Sequence, residues 1–136
     1  MNLYGILHCL VSLFFAITFI QSGIDKVLNK EGNLSWFKSQ FEPTIIKPII
    51  TPLFWWITIQ ELLLGLYMLA ISIYSFAQGP NQYESYGLLY SLFVFIQLFT
   101  GQRIAKEYAG ASGIIPYIIF ALLALIITPF STSSCH

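Results

Sequence analysis

Glu61 is the residue of this sequence whose position is hardest to explain by packing alone. It stands inside the apolar run from Leu53 to Phe76, roughly eight residues and therefore about 12 Å from the start of that run at the rise of an α-helix. An unpaired carboxylate at such a depth costs roughly 2.5–3.5 kcal/mol. We therefore expect Glu61 to face other helices and to be protonated, hydrogen-bonded or paired with a cation.

Two cations are available as partners of Glu61. Lys26 follows the first apolar run and Arg103 follows the third, so both long side chains can reach toward the same end of a bundle. Asp25 and Gln60 add polar groups at a similar depth. We predict that these five residues form one polar pocket, in which Glu61 is the candidate proton acceptor.

This pocket has a functional and a structural interpretation. In the functional interpretation it responds to protons or binds a lipid headgroup, since ionisable residues at membrane depth often mark functional sites. In the structural interpretation a buried ion pair holds neighbouring helices in register, as polar contacts do in other membrane bundles. The structural interpretation is favoured.

Small residues recur at every fourth position late in the chain, at Gly101, Ala105, Ala109 and Gly113. On one continuous helix they form a smooth strip against which another helix can pack closely. The alternative is that the stretch from Gly110 onward is a flexible entry into the last apolar run. We favour the strip, and neither interpretation implies a reactive group.

The other reactive side chains are few and scattered. His8 and Cys9 stand in the first apolar run and Cys135 and His136 end the chain, so the sequence has no CxxC pair and no cluster with metal-ligand spacing. We expect His8 to be a hydrogen-bonded core residue, and one widely separated cysteine pair is weak evidence for redox chemistry. Nucleotide-binding and nucleophile–base motifs are missing too. We expect no catalytic activity from this chain alone.

The elements that must position these residues are membrane helices. Of the 136 residues, 57% are hydrophobic and 9% are charged, and the mean hydropathy is +0.74. A soluble domain carries about 25% charged residues, and this chain cannot supply its polar shell, whereas a bilayer can replace that shell. The formal net charge is zero, without a basic tract, which argues against a nucleic-acid-binding protein.

Four apolar runs predict an all-α integral membrane four-helix bundle that forms a single domain of residues 1–136. We expect its helices at about 3–22, 53–76, 85–102 and 108–130, with a turn at Gln78–Asn81. An interfacial segment of about residues 33–50 joins the first two helices. Leu34, Phe37 and Phe41 share one face of this segment, and a loop packed over the end of the bundle explains that pattern equally well.

The basic residues predict the orientation of the bundle. All six stand in the first and third connections between helices. Because cytoplasmic loops retain Lys and Arg, we expect these connections in the cytoplasm and both termini outside.

Three segments of the chain resemble the DoxX-type family of small four-helix bacterial membrane proteins: Ser22-Gly23-Ile24-Asp25-Lys26, then Glu61-Leu62-Leu63-Leu64-Gly65, and later Ala105-Lys106-Glu107-Tyr108-Ala109-Gly110-Ala111. The resemblance implies a bacterial inner-membrane protein. It also implies a link to redox chemistry, because the founding member of the family is a small subunit of a thiosulfate:quinone oxidoreductase. The Lys and Glu positions of the family correspond to Lys26 and Glu61.

From these observations we expect an accessory, non-catalytic subunit of a bacterial inner-membrane complex. Its expected partners are membrane lipids and other membrane proteins, and the candidate ligand is a quinone or a bound lipid. The alternative is a DoxX-type oxidoreductase component that uses quinone with Glu61 and Lys26 in a polar pocket. A small-solute transporter is disfavoured, because four spans without an internal repeat are few for that role.

Overall fold

The protein is a bundle of α-helices in the computed structural model, which describes residues 3–128. These residues contain no β-strand, and a short 3-10 turn at Lys47–Ile49 leads from the second helix to the third. The helices are α1 Leu3–Leu28, α2 Lys30–Phe41, α3 Ile50–Gln78, α4 Gln82–Ile104 and α5 Tyr108–Ile127. All except α2 are long and apolar enough to cross a membrane. The predicted all-α membrane bundle is confirmed, and the protein is a multi-pass membrane protein.

Three helices extend beyond the predicted bounds, and α4 does so by a few residues at each end, over Gln82–Ile104. α1 continues to Leu28, because the segment that follows its apolar run contains no helix-breaking proline. α3 begins at Ile50 in spite of Pro52, since a proline in the first turn of a helix replaces an N–H that has no partner within the helix. The last helix is shorter than predicted: it ends at Ile127 and not at residue 130, because the backbone of Thr128 is extended.

The turn between α3 and α4 lies where the sequence predicts it. α3 ends at Gln78. Gly79 follows with a φ of 89°, a backbone conformation that residues other than glycine rarely adopt. Asn81 then caps α4, because its side-chain oxygen accepts a hydrogen bond from the backbone N–H of Tyr83 at 2.9 Å. A sharp reversal of the chain results.

α1 contacts each of the other three membrane helices. It packs most extensively against α3, while its Phe15 and Phe19 stack on rings from the last two helices. The ring centroids are 5.3 Å apart for Phe15 and Phe120 and 5.1 Å apart for Phe19 and Phe95. Stacked aromatic rings therefore join α1 to α4 and α5 in the centre of the bundle.

Two glycines allow α1 and α3 to approach closely. A Cβ atom at Gly23 would lie 2.6 Å from Leu62 Cδ2, and one at Gly65 would lie 2.5 Å from Ile20 Cγ1. Each helix thus contributes one glycine that receives a side chain of the other. This close contact determines which polar side chains of α1 and α3 can meet.

The contact between α3 and α4 is much thinner. α4 packs extensively on α5, but only a few of its residues approach α3. A groove therefore remains on the outer surface between α3 and α4, lined by residues from Trp56 to Tyr67 and from Tyr86 to Tyr90.

The segment between the first two membrane helices combines the two interpretations drawn from its sequence. It contains a regular helix, α2, and this helix packs over one end of the bundle. The Phe37 ring meets the Phe54 ring of α3 edge-on at 5.2 Å, and Phe41 is buried. The face shared by Leu34, Phe37 and Phe41 therefore turns toward the bundle.

The predicted strip of small residues does not form. α4 ends at Ile104 and α5 begins at Tyr108, so Gly101 and Ala105 do not share a helix with Ala109 and Gly113. The break lies at Lys106, whose φ of 60° is left-handed and incompatible with a continuing α-helix. The small residues keep their four-residue spacing through this turn, which is why the sequence predicted a continuous strip. The turn itself lacks the Gly or Pro that usually marks a turn.

Candidate functional site

Lys26 and Glu61 form a buried ion pair between α1 and α3. The Nζ atom of Lys26 lies 2.9 Å from Oε1 of Glu61, and the two side chains are 12% and 2% exposed. The hydroxyl of Ser22, one turn earlier on α1, donates to Oε2 of Glu61 at 3.0 Å and accepts a hydrogen bond from Lys26 Nζ at 2.9 Å. Each carboxylate oxygen therefore has a donor, and three side chains form a closed ring of contacts.

The helix geometry explains this arrangement. Ser22 and Lys26 are four residues apart, so they stand on the same face of α1. Gly23 and Gly65 bring that face against α3, where Glu61 stands one turn before Gly65. Because Lys26 belongs to the last turn of α1, its long stem reaches inward from the end of the helix to the buried carboxylate.

The other three residues of the predicted pocket lie elsewhere. Arg103 is exposed, and its guanidinium lies over the Tyr108 ring at 4.7 Å from the centroid. Asp25 is exposed as well, and its carboxylate accepts hydrogen bonds from the amides of Asn29 and Asn33. Gln60 is buried but belongs to a different cluster. Adjacent residues of a helix point about 100° apart, so neither Asp25 nor Gln60 shares the face of its ion-paired neighbour.

Gln60 forms a reciprocal amide pair with Gln97 of α4. Each side-chain nitrogen donates to the other side-chain oxygen at 3.1 Å. Tyr90 donates its hydroxyl to Oε1 of Gln60 at 2.8 Å, and Trp56 donates its indole N–H to Oε1 of Gln97 at 3.2 Å. This amide cluster bridges the thin contact between α3 and α4.

The amide cluster forms one end of the α3–α4 groove, which has a volume of about 430 Å³. Trp56, Gln60 and Tyr90 supply polar atoms there, whereas the remaining wall is mostly aliphatic and aromatic. Cavities of this size with a few polar groups are typical of small-molecule sites. Since Leu63 is 64% exposed and Trp56 is 51% exposed, the groove opens toward the lipid.

A second buried polar pair lies at the opposite end of the bundle. Nδ1 of His8 on α1 is 2.8 Å from Oε1 of Glu84 on α4, and both side chains are fully buried. Three buried polar atoms at this pair make no hydrogen bond of standard length and angle among the described residues. They are Nε2 of His8, Oε2 of Glu84 and the hydroxyl oxygen of Ser12. The edge of the Tyr4 ring packs on the imidazole, with 4.6 Å between centroids. The expectation that His8 is a hydrogen-bonded core residue is confirmed.

Glu84 is the important residue that sequence reasoning missed. It follows the capping Asn81 by three positions, where a glutamate normally caps an exposed helix start. The available signal was topological: both His8 and the start of α4 belong to the end of the bundle that has no basic residue. An acid there has no Lys or Arg to pair with, which leaves the histidine.

Metal chemistry finds no support among residues 3–128, where no group of three or more His, Cys, Asp or Glu side chains could hold an ion. Cys9 is a free thiol whose Sγ lies 3.3 Å from the Ser72 hydroxyl. Cys135 and His136 lie outside the described residues.

Comparison with protein-family models, with curated protein sequences and with solved structures gives no match to this chain. The ion pair, the amide cluster and the groove are the features of the molecule that bear on its function.

Proposed function

We propose that the protein is an accessory subunit of a bacterial inner-membrane complex and that it holds a quinone, or an amphiphile of similar chemistry, in the α3–α4 groove. The observation that carries this proposal is the groove itself. It opens to the lipid, its wall is apolar, and its polar end presents amide, hydroxyl and indole groups from Gln60, Tyr90 and Trp56. The single donors of Tyr90 and Trp56 already bind Gln60 and Gln97. The Gln60 amide uses one of its two N–H groups on Gln97, so the second can donate to a carbonyl oxygen of a quinone headgroup, whose tail suits the apolar wall.

The accessory role is supported by the state of Glu61. Both carboxylate oxygens are engaged, by Lys26 and by Ser22. To accept a proton from a substrate, Glu61 would first have to leave these donors, and breaking a buried ion pair costs several kcal/mol. We therefore assign the pair to holding α1 against α3 and assign the ligand to the groove.

A second candidate is the direct oxidoreductase component that the DoxX resemblance implies. Lys26 keeps 12% of its side chain exposed, which leaves a route for protons from that end of the bundle. Reduction of a quinone to its quinol with electrons from a thiosulfate or thiol donor, abolished by Glu61→Gln, would support this candidate. Turnover that is unchanged in Glu61→Gln would remove Glu61 from the mechanism.

The groove is tested by tryptophan fluorescence. In a Trp36→Phe, Trp55→Phe background, Trp56 is the only tryptophan of the sequence, and it stands at the polar end of the groove. A short-chain quinone added to reconstituted protein should quench Trp56 with saturation. Gln60→Leu should weaken this binding about fivefold, because about 1 kcal/mol of hydrogen bonding is lost.

Gln21→Leu is the matched control, because Gln21 is an exposed glutamine of α1 outside the groove. It should leave the quenching curve unchanged. Quenching that rises linearly without saturation, and equally in all three proteins, would mean that the quinone partitions into lipid and does not bind the groove.

The orientation proposed for the chain places the end that bears the basic residues in the cytoplasm. That end comprises the last turn of α1, α2, the start of α3 and the α4–α5 turn, and it contains all six Lys and Arg residues. The positive-inside rule then supports both termini on the outer side of the membrane.

A further inference from the structure

A second cavity lies beneath α2 at the basic end of the bundle. It has a volume of about 370 Å³ and is separate from the α3–α4 groove, with Gln97 of the amide cluster in its wall. α2 forms its roof, the first turns of α3 one side and the last turns of α4 the other. Its main apolar lining comes from Trp36, Phe37, Phe41, Ile50, Ile57 and Ile104.

α2 is tied to the bundle at both of its ends, so the roof has a defined position. At its start, the Asn33 amide donates to the backbone and the carboxylate of Asp25 at the end of α1. Toward its end, Phe37 and Phe41 pack inward, Phe37 against Phe54. The space between α2 and the bundle is therefore a half-open, mostly apolar cleft with a defined position.

Three cations without a carboxylate partner stand next in sequence to residues that line this cavity. Lys38 directly follows the lining residue Phe37, and Arg103 and Lys106 flank the lining residues Ile104 and Ala105. None of the three forms an ion pair within residues 3–128. The neighbouring Lys47 is neutralised by Glu42 at 3.4 Å.

The acidic residues nearby do not cancel this charge. Glu107 stands next to Lys106 and offsets one cation, so a net charge of about two remains around the cavity. The left-handed backbone of Lys106, with φ 60°, is unfavourable for a lysine. A conformation of this kind is retained where the surrounding structure imposes it, and such positions cluster at binding sites.

We propose that this cavity takes one acyl chain of an anionic phospholipid and that the lipid phosphate lies among Lys38, Arg103 and Lys106. The apolar lining fits a hydrocarbon chain. The cations stand where a helix end meets the headgroup region, which is where basic residues bind anionic lipids. An anionic headgroup is selected over a zwitterionic one, because a net charge of about two remains among the three cations after Glu107 is counted. This site is independent of the ligand proposed for the α3–α4 groove.

The experiment is lipid titration of the delipidated full chain, followed by native mass spectrometry. Phosphatidylglycerol should form a one-to-one adduct at concentrations at which phosphatidylcholine with the same chains does not. Lys38→Gln and Lys106→Gln should each weaken the phosphatidylglycerol adduct about fivefold and leave the phosphatidylcholine signal unchanged. Equal affinity for the two lipids in the unmodified protein would overturn the proposal.

A cavity-filling variant tests where the acyl chain lies. Gly101 lines the cavity, and a Cβ atom there would meet only Phe41 Cζ, at 3.6 Å within the 4 Å searched. Gly101→Leu should therefore occupy the cavity and remove the phosphatidylglycerol adduct. Gly113→Leu is the matched control, since a Cβ at Gly113 meets no atom within 4 Å, and it should bind as before.

If Gly101→Leu does not fold, a labelled lipid bound to the unmodified protein tests the same point. Phosphatidylglycerol with a photoactivatable group on one acyl chain should crosslink to peptides of α2 and of the second half of α4. Crosslinks confined to α1 or α5, or a Gly101→Leu protein that keeps the adduct, would place the lipid elsewhere and refute the site.

Discussion

Removing Lys26 alone is expected to destabilise the bundle more than removing Glu61 alone. In Lys26→Met, the Glu61 carboxylate stays buried at 2% exposure with the Ser22 hydroxyl as the donor left to it. Leaving a buried charge without its partner costs about 3–5 kcal/mol. In Glu61→Leu, by contrast, Lys26 stands in the last turn of α1 and can extend its ammonium group to water. We expect that variant to lose only about 1–2 kcal/mol.

The double variant Lys26→Met, Glu61→Leu measures the interaction energy between the two side chains, as distinct from the contribution of each one. Replacing a buried ion pair by apolar side chains of similar size is often nearly neutral, so we expect the double variant to lie within about 1 kcal/mol of the unmodified protein. The two single losses then exceed the double loss by about 3 kcal/mol or more, which is a coupling energy typical of groups in direct contact.

The assay is reversible unfolding of the purified protein in mixed micelles of one detergent with increasing SDS, followed by circular dichroism. Lys30→Met is the control, because Lys30 is an exposed lysine of α2 that makes no ion pair among the described residues. It should change the free energy of unfolding by less than about 0.5 kcal/mol. Single losses that simply add up to the double loss would refute the coupling, and an equal loss for both single variants would refute the asymmetry.

Two further predictions concern the end of the bundle away from the basic residues. Glu84→Gln keeps an acceptor for His8 and should cost less than about 1.5 kcal/mol. His8→Phe leaves the buried Glu84 carboxyl without this hydrogen-bond partner and should cost about 2–3 kcal/mol; equal losses in the same unfolding assay would contradict this role for the pair. In intact cells, a membrane-impermeant thiol reagent should label Cys135 from the outside in a Cys9→Ser background, while protection of Cys135 until lysis would reverse the proposed orientation.

The membrane helices and the partner of Glu61 could be predicted from sequence because each follows from one strong physical constraint. Hydrocarbon tolerates long apolar helices and little else, and a buried carboxylate needs a cation that can reach it. Of the two cations available to Glu61, the structure uses Lys26, which shares a face of α1 with Ser22. Arg103 stacks on Tyr108 instead, and helix rotation, which decides between the two, is weakly encoded in a uniformly apolar sequence.

The features that sequence analysis missed depend on pairing between distant segments. Glu84 has the sequence setting of an ordinary helix cap, and only the position of α1 beside it makes it a buried partner of His8. The amide pair of Gln60 and Gln97 likewise depends on how α3 and α4 face each other. The connection between α4 and α5 was predicted, but its left-handed backbone at Lys106 was not, because no glycine marks that conformation in the sequence.

The Lys26–Glu61 ion pair and the His8–Glu84 hydrogen bond have a joint mechanical consequence for α1. His8 and Lys26 are eighteen positions apart, which corresponds to about 27 Å along an α-helix, close to the ~30 Å thickness of a bilayer core. α1 is thus fastened near both of its ends, to α4 at one and to α3 at the other, and cannot tilt by itself to suit a thicker or thinner membrane. Any mismatch must be absorbed by deformation of the surrounding lipid or by rotation of the bundle as a rigid unit.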